Sequence, residues 1–273
     1  MIKHIVVVVD GVGRAAEPMA FALAEQYGAR VTALCIVVGA PLGFFVQPPD
    51  RLDLATADRR DALTKAQDLA EGIERRARAA GLQASSVVIC REDPVGDEGV
   101  TEVIRACDLI VVEQPDPDGV RPADMHLETL LVESGRPCLL VPYAGKPASR
   151  FRAIIVAWDG GVSAARALAD AMPFLHRAAR VEIVQVATGF LPEGARIEAR
   201  LVEHLGAHGV SATFRTLVRT DPFGEVILSH AADTETDLLV MGAYGHSPLR
   251  EALLGGATRD ILSAMTVPVL LSH

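Results

Sequence analysis

The sequence predicts an α/β protein of two similar halves, each a parallel sheet with helices on both faces. Three observations point there: short continuous apolar runs alternate with stretches of helical periodicity, the alternation occurs twice, and the composition is that of a packed core. Half of the 273 residues are hydrophobic and 22% are charged, the charges being spread along the chain. That length suits two domains of about 140 residues each. Strands apolar on both sides belong where helices cover both faces of a parallel sheet, and right-handed crossovers then set the winding.

The doubling is legible residue by residue. His4-Ile5-Val6-Val7-Val8-Val9-Asp10-Gly11 returns as Ala153-Ile154-Ile155-Val156-Ala157-Trp158-Asp159-Gly160, about 149 residues later. Ala29-Arg30-Val31 returns as Ala179-Arg180-Val181, and Asp93-Pro94 returns as Asp221-Pro222. Cys107-Asp108-Leu109-Ile110-Val111 matches Thr236-Asp237-Leu238-Leu239-Val240, and Arg136-Pro137-Cys138-Leu139-Leu140 matches Val267-Pro268-Val269-Leu270-Leu271. The order is kept throughout, as a duplication requires.

In the second half strands are expected near 153–158, 181–187, 212–218, 237–241 and 267–271, with helices near 162–177, 194–208, 222–232 and 257–265. Pro142-Tyr143-Ala144-Gly145-Lys146-Pro147-Ala148-Ser149 suits a surface linker, which sets domains at 1–145 and 150–273. The first half carries an insertion, Gly39 to Pro49, too rich in Pro and Gly for an element interior, followed by a long helix near 54–80. Phe44 and Phe45 within it are read as folding onto their own domain, with a lid or an interface as the open alternative.

A net charge of -9 argues against a surface that neutralises nucleic-acid phosphates or anionic lipid, so neither nucleic acid nor membrane is expected as a partner. No apolar run approaches the ~18 residues of a membrane span, and the start lacks a signal-peptide pattern, so a cytoplasmic protein is expected. Cys35, Cys90, Cys107 and Cys138 show no metal or CxxC spacing and read as core packing; no metal ligand set is assigned.

The run with most chemical content is Met241 to Thr258. It follows a strand and leads into a helix, at the carboxyl ends of the strands where ligands bind in open α/β sheets. Gly242 and Gly245 allow close backbone approach, while Gly255 and Gly256 open the last helix, whose free N–H groups favour phosphate. Thr258 adds a hydroxyl in the first turn. The same glycines also suit a strand end, a turn before Pro248 and a junction between elements, and spacing alone leaves both readings open.

This run resembles the motif of the universal stress protein family (UspA-like): Gly, two residues, Gly, nine residues, Gly, then Ser or Thr. Gly242, Gly245 and Gly255 fall on its glycines, and the resemblance extends over both halves through Asp10, Asp159, the Asp-Leu strand and the closing apolar strand. It implies two flavodoxin-like, Rossmann-like (adenine nucleotide alpha hydrolase-like) domains, each with a five-stranded parallel sheet, and a role in stress tolerance. It further implies binding of ATP or AMP, with any Mg2+ held by the phosphates. Asp159, with Gly160, then contacts the adenosine moiety, backbone from Val186 to Thr188 meets adenine, and Gly242, Gly245, His246, Gly255, Gly256, Ala257 and Thr258 hold the phosphates. Gly256 departs from the family's Ser or Thr, and His246 stands where Arg or Lys is common. Asp159 has an alternative role as a turn or cap residue ahead of Ser163.

The first half has no such loop. Glu113-Gln114-Pro115-Asp116-Pro117-Asp118-Gly119-Val120-Arg121-Pro122 offers carboxylates that repel phosphate and prolines that lack N–H donors. The expected protein is therefore a nucleotide sensor or binding module that uses its second half. The open alternatives are a slow ATPase or phosphotransferase in the same pocket and a nucleotide-free scaffold. The two halves are expected to form an intramolecular pseudo-dimer through strands 138–141 and 267–271, with a homodimer as a further possibility.

Overall fold

The computed structural model describes residues 1–10, 15–38, 49–91, 98–115, 127, 129–144, 150–187, 194–218, 221–243 and 256–273. Two compact units divide the chain, Met1–Arg136 and Pro137–His273.

The first unit runs β1 (His4–Val9), α1 (Ala16–Tyr27), β2 (Arg30–Val38), α2 (Pro49–Ala79), β3 (Ala84–Arg91), α3 (Glu98–Arg105) and β4 (Leu109–Glu113), followed by a π-helical turn at Thr129–Glu133. Its strands stand in the order β3-β2-β1-β4, all parallel. The interior of β1 shows no alternation of buried and exposed residues: Ile5, Val6 and Val7 are all fully buried, because both faces of the strand are covered. Helix α1 stops at Gly28, which takes a left-handed φ of 61° and returns its N–H to the Ala24 carbonyl. The long helix starts at Pro49, earlier than the sequence suggests, and the Arg76 guanidinium on it grips the Glu17 carboxylate of α1 through two bonds of 2.6 and 2.7 Å. The insertion at 39–48, with Phe44 and Phe45, lies outside the described residues.

The second unit opens with β5 (Cys138–Val141) and continues β6 (Ala153–Ala157), α4 (Val162–Leu175), β7 (Arg180–Ala187), α5 (Gly194–Ala207), β8 (Thr213–Val218), α6 (Phe223–Asp233), β9 (Leu238–Gly242), α7 (Gly256–Ala264) and β10 (Val269–Ser272). Each expected strand and helix of this half is present within a few residues. The strand order is β5-β10-β9-β6-β7-β8. Five of these strands are parallel neighbours, while β5 runs antiparallel to β10 with Leu139 opposite Leu270. The two closing strands of the repeat thus pair with each other, and β5 counts with the second unit. Buried Leu139, Leu140, Leu270 and Leu271 make the β5–β10 pairing apolar.

The duplicated Asp-Leu motif has a shared structural task. The Asp108 carboxylate accepts the backbone N–H groups of Lys3 and His4 at 2.7 and 3.0 Å, and Asp237 accepts those of Arg152 and Ala153 at 2.8 and 2.9 Å. Each aspartate fastens the start of the first strand to the start of the fourth with charge-assisted bonds. Cys35, Cys107 and Cys138 are buried, Cys90 is partly buried, and none forms a disulfide. Burial pushes the Cys35 thiol up to about 11 and the Cys107 thiol up to about 12, which keeps both protonated and inert.

Candidate functional site

The carboxyl edge of the second unit's sheet is built by three chain segments. At the end of β6 the chain passes through Trp158, Asp159 and Gly160 into α4. Gly160 takes φ 81°, a conformation that suits glycine, and the exposed Asp159 carboxylate accepts the Gly161 N–H at 2.7 Å. This is the turn role open to Asp159 from the sequence: its side chain folds the entry to α4. Gly161 is the N-cap and supplies no side-chain cap, and the first turn of α4 has no acidic residue. The N–H groups of that first turn therefore face the edge without a carboxylate on the turn itself.

Gly242, at the end of β9, sits against that same helix start. A Cβ added there would meet the Ala164 nitrogen and the Ser163 carbonyl carbon at 2.6 Å and the Ser163 Cβ at 2.8 Å. Any larger residue would push β9 away from α4, so packing alone demands glycine here. The next residue, Ala243, donates its N–H to the Ser272 carbonyl at 2.8 Å, and its carbonyl lies 3.1 Å from the His273 Nδ1. The run leaves the sheet tied to the end of β10.

Helix α7 starts at Gly256, with Ala257 and Thr258 in its first turn and no acidic residue there. It follows a parallel strand, so its N-terminus lies at the carboxyl edge, as does that of α4. Thr258 is buried at 4% exposure. Gly224 lets α6 close on α7, since a Cβ on it would come within 2.7 Å of the Asp260 Cβ. Val186 lies on β7 opposite Leu217. Asp159, Gly160, Val186, Gly242, Gly256, Ala257 and Thr258 thus all fall at or near the carboxyl ends of the strands. Gly245, His246 and Gly255 lie outside the described residues.

Residues 150–273 match the model of the universal stress protein family. This second half is a universal stress protein domain. Over 46 residues the chain is 41% identical to a curated universal stress protein of Synechocystis sp., a stretch that spans 17% of this chain and 16% of that relative. The fold is shared more widely. A universal stress protein structure from Archaeoglobus fulgidus DSM 4304 superposes with a TM-score of 0.72 at 15% identity, covering 98% of this chain and 95% of the other. A functionally unknown protein from Pseudomonas aeruginosa PAO1 gives 0.60 at 19% identity, with 99% and 92% covered. The fold likeness to a universal stress protein therefore spans both halves.

Two groups escaped the sequence reading. Glu182 on β7 is buried and accepts from Arg215 Nε at 2.6 Å and lies 2.8 Å from His230 Nε2. Burial works to raise its pKa, but the bonds from Arg215 and His230 outweigh that and hold it below 4.5. No local motif marks this trio, since its members come from a strand, a second strand and a helix. The other group is a row of buried polar atoms at Trp158, Gln185 and Ser272, visible only once strand register is known. Among the described residues no cluster of His, Cys, Asp and Glu fits a metal ion, and no helix is long and apolar enough to cross a membrane.

Proposed function

We propose that the second unit binds an adenine nucleotide, ATP or AMP, at the carboxyl ends of β6, β7 and β9, and acts as a sensor or binding module in a stress response. The observation that carries the reading is the meeting of β9 with the start of α4: Gly242 leaves no room for a side chain, and neither α4 nor α7 has an acidic residue in its first turn. Two helix starts of this kind on one sheet edge favour phosphate through free N–H groups and the helix dipole. The family match over 150–273 and the placement of Gly242, Gly245 and Gly255 on the motif glycines support the same ligand. Asp159 and backbone near Val186 serve the adenosine part, and Gly245, His246, Gly255, Gly256, Ala257 and Thr258 the phosphates, with any Mg2+ carried by those phosphates.

Calorimetric titration of the intact chain with ATP, ADP and AMP tests this. Gly245→Val is expected to weaken binding at least about tenfold while leaving the unfolding midpoint close to the parent's, because a branched side chain blocks backbone approach to phosphate. Unchanged affinity in that variant, or no heat with any of the three nucleotides, overturns the reading. Phosphate release in the same samples separates a binding module from a slow ATPase.

A further inference from the structure

Three buried polar atoms at the carboxyl edge of the second unit have no hydrogen-bond partner among the described residues: the Trp158 indole Nε1, the Gln185 amide Oε1 and the Ser272 hydroxyl Oγ. Strand register brings them together. Val184 pairs with Ala157, and the Trp158 N–H donates to the Val184 carbonyl at 2.8 Å, so Trp158 stands opposite Gln185. Ser272 pairs with Gly242, and continuing the β6–β9 register past Val156 opposite Val240 puts Gly242 opposite Trp158. The cross-strand row is therefore Ser272, Gly242, Trp158, Gln185. Members of one row in a parallel sheet share a face. For Gly242 that face is the one against α4, since its missing Cβ would point at Ser163 and Ala164.

Buried polar atoms are nearly always paired, because an orphaned one forfeits its bonds to water without replacement. Three orphans in a single row, at the edge where open α/β sheets bind ligands, call for a functional reason. Two of them also directly precede residues assigned to adenosine: Trp158 precedes Asp159, and Gln185 precedes Val186.

We propose, building on the nucleotide reading, that Trp158 and Gln185 read the edge of the base, with Trp158 setting the preference for adenine. On binding, both side chains turn outward from the row to meet the edge of the base. The indole N–H donates to a ring nitrogen, and the Gln185 amide oxygen accepts from the exocyclic amino group beside it. That pair of roles fits adenine. Hypoxanthine and guanine present the reverse pattern, a ring N–H beside a carbonyl oxygen. The amide can flip to match it, but the indole is a donor only and cannot. A site built around a fixed donor rejects the base that offers it another donor. Ser272 stands at the far end of the row, two strands from Trp158, and takes no part in base recognition.

The experiment compares ATP with inosine triphosphate, which differs only at this edge, by calorimetry on the intact chain. The parent is expected to prefer ATP by at least about tenfold, the loss expected when one hydrogen bond is replaced by an unpaired donor. Trp158→Phe, which removes the fixed donor, is expected to bring the two nucleotides within about threefold of each other. Gln185→Met is expected to weaken both at least about tenfold, to keep the ATP preference and to raise the melting temperature by about 2–4 °C by removing an orphaned polar atom. Ser272→Ala is expected to give the rise in melting temperature with the ATP preference intact. Trp158 is the sole tryptophan, so a change of its emission on saturation with ATP reads the turning without any substitution. ATP preference retained in Trp158→Phe, ATP affinity unchanged in Gln185→Met, or emission unchanged at saturation, overturns the inference while the nucleotide reading stands. A parent that binds neither nucleotide overturns both. Should Trp158→Phe fail to fold, Gln185→Met and the parent's emission decide.

Discussion

At the end of the fourth strand of each half the chain arrives at the start of the first helix, and the two halves meet it with different chemistry. In the first half Glu113 ends β4, and its carboxylate accepts the Ala15 N–H at 3.1 Å, at the N-cap of α1. Glu17 adds a second carboxylate in that helix's first turn. In the second half Gly242 occupies the matching position, packs directly on Ser163 and Ala164, and leads to a helix with no acid in its first turn. A duplicated scaffold has thus placed two carboxylates, Glu113 and Glu17, at one helix start and at the other that of Asp159, which accepts the Gly161 N–H, with no acid in the first turn. The electrostatic preference of a helix N-terminus for anions is met by acids both beside and within the first turn in one copy, and in the other only by the carboxylate that precedes the turn.

Nucleotide stoichiometry is the sharpest way to break this comparison. Titration of the intact chain is expected to saturate at one ATP per chain, because losing two charge-assisted hydrogen bonds of about 1.5–3 kcal/mol each moves a micromolar site to millimolar or beyond. Two equivalent sites would show that the carboxylates of the first half do not have the effect assigned to them.

Gly242→Val should follow in size. Its Cβ would enter backbone at 2.6 Å, a distance that requires the strand or helix to shift, so a loss of about 1–3 kcal/mol in denaturant unfolding is expected. If stability is unchanged, the closeness of β9 to α4 is not what demands glycine there. The effect contrasts with Gly245→Val, where binding rather than stability is expected to suffer.

The shared aspartates probe where the halves agree. Asp108→Asn and Asp237→Asn each convert a carboxylate that takes two backbone N–H groups into a neutral amide that still accepts, for an expected cost of about 1 kcal/mol apiece. Equal losses in the two variants support a common scaffold role; a loss confined to one half would show that the duplicated motif has diverged in its task.

The smallest effect is an acid one and belongs to the second half. Glu182 has its folded pKa depressed below 4.5, so the stability it contributes is present above that value and is lost as pH falls through the folded pKa. Glu182→Gln should reduce the fall in unfolding midpoint between about pH 4.5 and more acid conditions, relative to the parent. Parallel midpoint curves for parent and variant would count against the assignment.

Much of this molecule was open to reading from the chain alone. Runs such as Val6 to Val9 and Leu238 to Met241 can be satisfied only by burial on both faces, and their alternation with helical stretches leaves a wound parallel sheet as the economical solution. The repeat of Asp108-Leu109 as Asp237-Leu238, and the contrast of Glu113 with Gly242, are likewise visible in one dimension, because each depends on residue type at matched positions. Tertiary structure decided the rest. That Gly242 is required by the Ser163 and Ala164 backbone, that β5 pairs antiparallel with β10, and that Trp158, Gln185 and Ser272 fall in one row are all consequences of register between strands far apart in sequence. The same holds for Glu182, whose partners Arg215 and His230 come from elements that no local pattern connects. Periodicity records what each residue needs from its surroundings, whereas contacts of this kind depend on which element supplies it, and that is settled only when the sheet assembles.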